Sequence, residues 1–213
     1  MKTNMNESSK KIITLAMTGG SGAPYAFRLL ECLLAAGCHV DFLISDAARQ
    51  VVQMELGIDL PVDINELQTF LEKHFETSAK QLKAYDKMDW LSPVASGTSR
   101  NRQMVICPAS GGTISAIAHG ASKNLIERAA DVALKEKYPL IIVPRETPLS
   151  AIHLENLLKL AQLGVTVMPA SPGFYYNPKS INDLVDFMVG RILQHLGIDQ
   201  SLVPCWGEQR GEK

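Results

Sequence analysis

Apolar positions at the start of the chain follow two alternating patterns. Residues 12–17 form an almost continuous apolar run, which is typical of a strand buried on both faces. After a glycine-rich break at 18–22, apolar residues recur at helical spacing from Tyr25 to Leu34, which predicts a helix ending before Gly37. A second strand is predicted at 39–44, followed by a helix that Ser45 caps and that runs to Leu56.

The same alternation continues through the rest of the chain. Further strands are predicted at 81–85, 104–108, 140–143 and 165–168, and further helices at 63–75, 114–118, 124–137, 150–163 and 181–196. Residues 91–102 are small and polar with little hydrophobic weight, which indicates a loop.

This order of elements predicts the fold class. Apolar strands separated by helices are typical of an α/β fold, a doubly wound (Rossmann-like or flavodoxin-like) parallel sheet with helices on both faces. We expect one domain over 1–213, with a polar tail at 1–11 and a second tail at 197–213. Since crossovers have one hand, the strand-to-helix loops should meet at one edge of the sheet, where such folds bind ligands.

Composition narrows the class of protein. The 213 residues include 21 basic and 22 acidic residues, so no large basic surface for nucleic acid or membrane is expected. The longest apolar runs are too short to cross a membrane, and the first residues are polar, so we expect a soluble, cytoplasmic protein. The four cysteines and five histidines lack metal-site spacing, so neither a structural metal nor a disulfide framework is expected.

The glycine loop at 18–22 suggests a phosphate-binding site. Gly19, Gly20 and Ser21 precede a helix start, where backbone N–H groups attract anions. Tyr25 stands where a dinucleotide fingerprint needs its third glycine, and Ser45 where it needs an acidic residue, which argues against NAD. A plain glycine turn before a core helix remains an alternative.

A second loop has the same character. It offers hydroxyls and close backbone approach, through Ser110, Gly111, Gly112 and Thr113. Arg145 and Glu146 follow another buried strand. They could form a structural ion pair, or Glu146 could be a carboxylate that transfers protons. These loops should share one cleft that holds a polar ligand.

For the other candidate residues, the sequence pattern alone gives weaker evidence of a functional role. Arg128 and Lys135 are seven residues apart and share a helix face, which could simply be solvated. Arg191 lies among apolar residues, so an anionic partner is expected. Tyr175 is either a phosphate donor or a packing residue, and Trp90 could offer its face to a flat or cationic ligand or simply pack.

Several motifs together resemble one family. They are Met17-Thr-Gly-Gly-Ser-Gly-Ala, Arg128-Ala-Ala-Asp-Val-Ala-Leu-Lys-Glu, Pro144-Arg-Glu-Thr-Pro-Leu and Pro172-Gly-Phe-Tyr. From about residue 12 to 208 the chain resembles the flavin prenyltransferase (UbiX) family. The resemblance implies metal-independent transfer of a dimethylallyl group from dimethylallyl phosphate to N5 and C6 of reduced FMN. The product, prenyl-FMN, would serve a UbiD-type decarboxylase in ubiquinone biosynthesis or aromatic acid decarboxylation.

The same resemblance implies roles for individual residues. FMN would contact Gly19, Gly20, Ser21, Ser45, Ser110, Gly111, Gly112, Thr113 and Arg128. Dimethylallyl phosphate would contact Lys135, Arg145, Tyr175 and Arg191. Glu146 would transfer protons with the departing phosphate, Ser21 and Lys135 would assist, Glu55 would act at the flavin and Trp90 would shield the allylic group. The resemblance also implies a homododecamer with sites between subunits.

The chain departs from the family pattern in both glycine loops. Gly20 replaces an alanine, and Ala109 and Gly111 replace the usual Cys and Thr or Ser, which predicts a smaller and looser cradle and affects flavin affinity. Two other functions stay open, a flavin-dependent decarboxylase of the cysteine-decarboxylase type and a non-catalytic FMN carrier. The first would carry a Pro-x-Met-Asn motif where this chain reads Pro169-Ala-Ser-Pro-Gly.

Overall fold

The computed structural model describes residues 10–99 and 102–203. They form a six-stranded parallel sheet in the order β3-β2-β1-β4-β5-β6. The strands β1 to β6 are Ile12–Met17, His39–Ile44, Leu82–Ala84, Gln103–Ala109, Leu140–Pro144 and Thr166–Val167. This is the strand order of doubly wound dinucleotide-binding folds, so the predicted fold class is confirmed.

Helices cover both faces of the sheet. The helices α1 to α7 are Ala23–Ala35, Asp46–Leu56, Ile64–His74, Gly111–Ala118, Leu125–Glu136, Ala151–Gln162 and Ile181–His195. Buried residues of α1, α2, α3 and α7 form one core with the sheet, and those of α4, α5 and α6 form a second core on the opposite face. Each helix therefore buries one side against strands that are apolar on both faces.

Local sequence sets most helix starts. Ser45, Asp63, Ser110, Asn124 and Ser150 each precede a helix and accept a backbone N–H from its first turn. Because Ser110 is such a cap, α4 begins at Gly111 rather than at the predicted Ile114. The glycines of the second loop thus belong to the first turn of a helix.

The segment at 91–102 is more ordered than its composition indicated. Pro93–Ala95 forms a short 3₁₀ turn, and Val94 and Ala95 are buried against the core that contains α5. Part of the predicted C-terminal tail also packs, since Ile198 is buried and Leu202 lies against the core on the α7 side. Residues 1–9 and 204–213, which include the rest of both predicted tails, lie outside the described residues.

Across the described ranges, every helix is too short or too polar to cross a membrane.

Candidate functional site

The strand order reverses between β1 and β4, and this reversal locates the site. In open α/β sheets, ligands bind in the crevice at the carboxyl ends of the strands where the order changes direction. The loops that leave β1 and β4 at this point are residues 18–22 and residue 110 with the first turn of α4. The structure therefore brings both predicted glycine loops to one crevice.

Thr18 ties these two loops together. Its N–H and its Oγ1 donate to the Pro108 carbonyl, at 3.1 and 3.0 Å, and its Oγ1 accepts the Ser110 N–H at 2.7 Å. The side chain is buried, so water does not compete for these bonds. Thr18 was absent from the candidates predicted from sequence, where its only signal was a hydroxyl directly after an apolar strand.

Glu55 closes the N-terminus of α1. Gly22, the residue before α1, has no capping side chain. The Glu55 carboxylate, at the end of α2, accepts the N–H groups of Gly22 and Ala23 at 2.9 and 2.8 Å. These two hydrogen bonds fix the end of the glycine loop through a side chain of a different helix. The sequence pattern did not suggest this structural role. Action of Glu55 at the flavin stays a prediction.

The three glycines of the first loop differ in whether their positions could hold a residue with a Cβ. A Cβ at Gly19 would lie 2.8 Å from the Ala47 Cβ. Gly22 has φ of 127°, and a Cβ there would lie 2.9 Å from the Tyr25 ring, so both positions need glycine. A Cβ at Gly20 would meet the Pro108 Cβ at 3.4 Å, an ordinary contact. The space next to Gly20 is therefore about one methyl group wide.

Among the helices that begin at this edge of the sheet, α1, α2 and α4 follow β1, β2 and β4 directly. Besides α1, α2 starts after Ser45, whose Oγ accepts the Ala48 N–H at 3.1 Å. In α4, the Ser110 Oγ donates to the Thr113 Oγ1 at 3.1 Å and accepts the Thr113 N–H at 3.5 Å. Gly111 and Gly112 lie in the first turn of α4, where backbone N–H groups have no acceptor within the helix. The space that a Cβ of Gly112 would occupy is open. These groups suit an anionic or carbonyl oxygen.

Buried ionisable groups beneath the first loop are neutral at physiological pH. Burial raises the pKa of the Cys107 thiol to about 12, so this cysteine is not a nucleophile. Burial, followed by the nearby Cys107 and Glu55, raises the pKa of the Tyr25 phenol. Tyr25 therefore remains a neutral hydrogen-bonding group beside the glycine loop.

Arg145 and Glu146 lie at the same edge, after β5. The Arg145 Nε is buried and has no hydrogen-bond partner in the described part of the chain. The exposed Glu146 accepts the Thr147 N–H at 3.3 Å, and within the described ranges no ion pair joins it to Arg145. A buried guanidinium N–H without an acceptor is unfavourable. Of the two interpretations that the sequence left open, the Arg145–Glu146 ion pair is not formed, and Arg145 is available to a ligand.

The cations of α5 are placed differently. The Arg128 Nε donates to the Ala95 carbonyl at 3.0 Å, and its Nη1 donates to the Asp131 carboxylate at 2.8 Å. The exposed Lys135 pairs with its neighbour Glu136. At 1.5 Å per residue, Lys135 lies about 15 Å along the helix from Leu125, towards the amino-terminal edge of the sheet. One chain therefore does not bring Lys135 to the loop after β5.

Arg191 corrects a prediction from sequence. It is exposed on α7, and its Nη1 donates to the Gln194 amide oxygen at 2.6 Å. The expected apolar surroundings were wrong, because this position faces away from the core that its apolar neighbours enter. The expected anionic partner stays a prediction. Like Lys135, it lies far along a helix that begins at the carboxyl edge.

The two aromatic candidates are both partly accessible. Tyr175 is 62% exposed, and its ring packs edge-on against Tyr176 and Phe187 at centroid distances of 5.9 and 5.8 Å. Trp90 is 41% exposed and follows β3, the edge strand. The segment between β3 and Trp90 contacts the start of α5, where the Lys87 carbonyl accepts the Leu125 N–H at 2.7 Å.

Comparisons with known proteins identify the family of this chain. The flavoprotein family model matches residues 1–193. The chain is 54% identical to the flavin prenyltransferase UbiX of Pseudomonas aeruginosa over 202 residues, which covers 95% of this chain and 97% of that protein. It is 50% identical to the flavin prenyltransferase UbiX of Halalkalibacterium halodurans, over 94% of this chain and 96% of that protein.

Solved structures lead to the same family. The crystal structure of AnUbiX in complex with FMN and dimethylallyl pyrophosphate superposes with a TM-score of 0.82 at 32% identity, over 93% of this chain and 98% of that chain. A dodecameric FMN-dependent UbiX-like decarboxylase from Escherichia coli O157:H7 superposes with a TM-score of 0.79 at 31% identity, over 92% and 98% of the two chains. The chain belongs to the flavoprotein family, and within it to the UbiX flavin prenyltransferases.

Proposed function

We propose that this protein transfers a dimethylallyl group from dimethylallyl phosphate to reduced FMN and releases phosphate. New bonds form at N5 and C6 of the flavin, and the bond between the allylic carbon and the phosphate oxygen breaks. The observation that carries this proposal is the crevice between β1 and β4 with its glycine loops and helix starts, together with the Arg145 Nε after the adjacent β5, which lacks a hydrogen-bond partner in the described part of the chain. The relatives named above support it.

The residues of the crevice fit FMN. Gly19, Gly20 and Ser21 would allow close approach of the backbone, and the first turn of α4 would offer N–H and hydroxyl donors. The buried Arg145 Nε needs an acceptor, which a carbonyl or phosphate oxygen of the flavin would supply. When bound, the reduced flavin supplies the nucleophilic nitrogen and carbon of the reaction.

The protein's own contribution is to stabilise the leaving phosphate and to accept a proton. Arg145, Lys135, Tyr175 and Arg191 would donate hydrogen bonds to the phosphate as its charge grows. The Glu146 carboxylate is exposed and, in the described structure, accepts only the N–H of its neighbour Thr147. It is thus free to exchange a proton with the departing phosphate or the prenylated flavin. Trp90 would lie against the allylic group and exclude water.

Several of these donors must come from other copies of the chain. Lys135 and Arg191 lie far from the loop after β5, and Trp90 follows the opposite edge strand. Helix α6 also exposes large apolar side chains, with Ile152 and Leu158 at 66% and 60% exposure. Such a surface is typical of a protein–protein interface. A homododecamer, as in the dodecameric neighbour, would cover α6 and complete each site.

The setting of the reaction is also a proposal. Prenyl-FMN would pass to a UbiD-type decarboxylase in the cytoplasm, for ubiquinone biosynthesis or for decarboxylation of aromatic acids. This part rests on the family to which the chain belongs.

The decisive experiment is anaerobic incubation of the purified protein with reduced FMN and either dimethylallyl phosphate or dimethylallyl pyrophosphate. Mass spectrometry of the released flavin should show a gain of one dimethylallyl unit, and the donor that reacts identifies the natural substrate. The Glu146→Gln variant should bind FMN normally and turn over at least about 100-fold more slowly, as expected for loss of a general acid–base group. Unchanged FMN held tightly by the protein would instead indicate a carrier or a decarboxylase.

A further inference from the structure

A buried ion pair lies outside the groups that the proposed reaction uses. Asp41, in the middle of β2, is fully buried. Its Oδ2 accepts the Arg102 Nε at 2.7 Å, and its Oδ1 lies 3.2 Å from the His39 Nε2. The Arg102 side chain is only 13% exposed. Burying two charges adds little net stability compared with apolar packing, so the groups that the pair holds in place matter more than its stabilising effect.

Arg102 extends the pair to the turn at residues 96–99. Its Nη1 donates to the Ser99 Oγ at 2.6 Å. The Ser99 Oγ in turn donates to the Ser96 carbonyl at 2.7 Å, and the Ser99 N–H donates to the same carbonyl at 3.4 Å. The turn is therefore tied to a strand of the central sheet through a charged side chain that is itself held by Asp41.

Ala95, which directly precedes this turn, holds Arg128. The Ala95 carbonyl accepts the Arg128 Nε at 3.0 Å, and the Ala95 N–H donates to the Ser92 carbonyl at 3.1 Å. Among the described residues Arg128 also contacts Asp131, in a partly exposed pair on the same helix, and such a pair restrains a side chain weakly. The position of Ala95 thus largely sets the direction of the Arg128 guanidinium.

We propose that Asp41, Arg102 and Ser99 are positioning residues for Arg128: through the turn at 96–99 they aim its guanidinium at the flavin. This inference rests on the proposed function and on the contact between Arg128 and FMN that the family resemblance implies. The contacts run without a break from the buried carboxylate to the Ala95 carbonyl, and each is a hydrogen bond or a peptide link. Loss of the Ser99 hydroxyl should free the turn while the buried pair stays intact.

The test compares Ser99→Ala with Ser96→Ala. Ser99→Ala removes the hydroxyl that Arg102 holds. Ser96→Ala removes a hydroxyl of the same turn whose hydrogen bonds, within the described residues, are to Thr98, and leaves the Ser96 carbonyl in place. Binding of oxidised FMN, measured by quenching of flavin fluorescence, should weaken about fivefold in Ser99→Ala, the loss expected for one charge-assisted hydrogen bond acting indirectly. In Ser96→Ala the dissociation constant should change less than twofold.

A second measurement separates positioning from general destabilisation. In an Arg128→Gln background, Ser99→Ala should have no further effect on the FMN dissociation constant, because the group it positions is gone. Equal losses in both backgrounds, unchanged binding in Ser99→Ala, or no FMN binding by the unmodified protein would each overturn the inference. Since the assay needs no turnover, a protein that binds FMN but transfers no dimethylallyl group would refute the proposed reaction alone.

Discussion

Replacing Glu55 by Gln tests how the first glycine loop is held. The carboxylate accepts the N–H groups of Gly22 and Ala23 at 2.9 and 2.8 Å, at a helix start that has no capping side chain of its own. The substitution removes the negative charge from the positive end of α1 and places an amide NH₂ where a second acceptor oxygen was.

The magnitude follows from the geometry. A hydrogen bond to a charged group contributes about 1.5–3 kcal/mol, and a charge at a helix terminus about 0.3–1 kcal/mol. Glu55 is an exposed residue, so water can replace part of what is lost, and Gln retains one acceptor. We expect Glu55→Gln to lower the free energy of unfolding by about 1 kcal/mol. For a protein of this size that corresponds to a fall in Tm of about 3 °C.

Thermal denaturation followed by circular dichroism, at one protein concentration for all variants, measures this shift. Glu76→Gln is the matched control, because Glu76 is exposed and its side chain makes no hydrogen bond or ion pair among the described residues. If Glu55→Gln melts at the same temperature as the unmodified protein and the control, the capping role is refuted. Slower prenylation with an unchanged Tm would favour the action at the flavin that the family resemblance implied.

Three further predictions concern the same edge of the sheet and β2. Thr18→Val should lower the free energy of unfolding in urea by about 2 kcal/mol, since the partly buried Ser110 N–H loses its acceptor and the Pro108 carbonyl keeps only the backbone N–H of residue 18. Gly20→Ala should leave stability unchanged, whereas Gly22→Ala, at φ of 127°, should lower it by more than about 1 kcal/mol. The hydrogen bond to Asp41 raises the pKa of His39 above its ordinary value of 6.5, so stability should fall as pH rises above 6.5, and His39→Gln should flatten this dependence.

The sign of the His39 effect follows from linkage. The folded protein holds the imidazole proton more tightly than the unfolded chain, so the stabilisation is complete below 6.5 and is lost as pH rises through the folded-state pKa. Thr18→Ser is the control for Thr18→Val, because it keeps the hydroxyl. The first expectation is contradicted if Thr18→Val is as stable as the unmodified protein. The second is contradicted if Gly20→Ala lowers stability as much as Gly22→Ala. The third is contradicted if His39→Gln leaves the dependence of stability on pH unaltered.

Elements that depend on neighbours in sequence were predictable. The apolar run at 12–17 and the caps Ser45 and Asp63 sit where the pattern placed them, because periodicity and side-chain-to-backbone bonds act over a few residues. The start of α4 was predicted three residues late, since Gly111 and Gly112 weaken a helical pattern although Ser110 caps it.

Contacts between residues distant in sequence were not predictable from pattern. Glu55 and Gly22 are 33 residues apart, and Thr18 and Pro108 are 90 apart, and neither pair has any local signal. The exposure of Arg191 depends on which way α7 is turned against the sheet, and its apolar neighbours suggested the opposite. The separation of Lys135 from the loop after β5 likewise follows from the direction of a helix.

By itself, the sequence determined the strand and helix order, the glycine loops, the motifs of the family and therefore the class of ligand. Each of these is a property of residue types within a short stretch or of their order. Only the tertiary structure decided that Thr18 and Glu55 hold the glycine loops, that the Arg145 Nε is buried without a hydrogen-bond partner among the described residues, and that Asp41 pairs with Arg102. These facts depend on how the sheet brings distant segments together, because burial and hydrogen bonding are properties of the packed chain and not of a stretch of it.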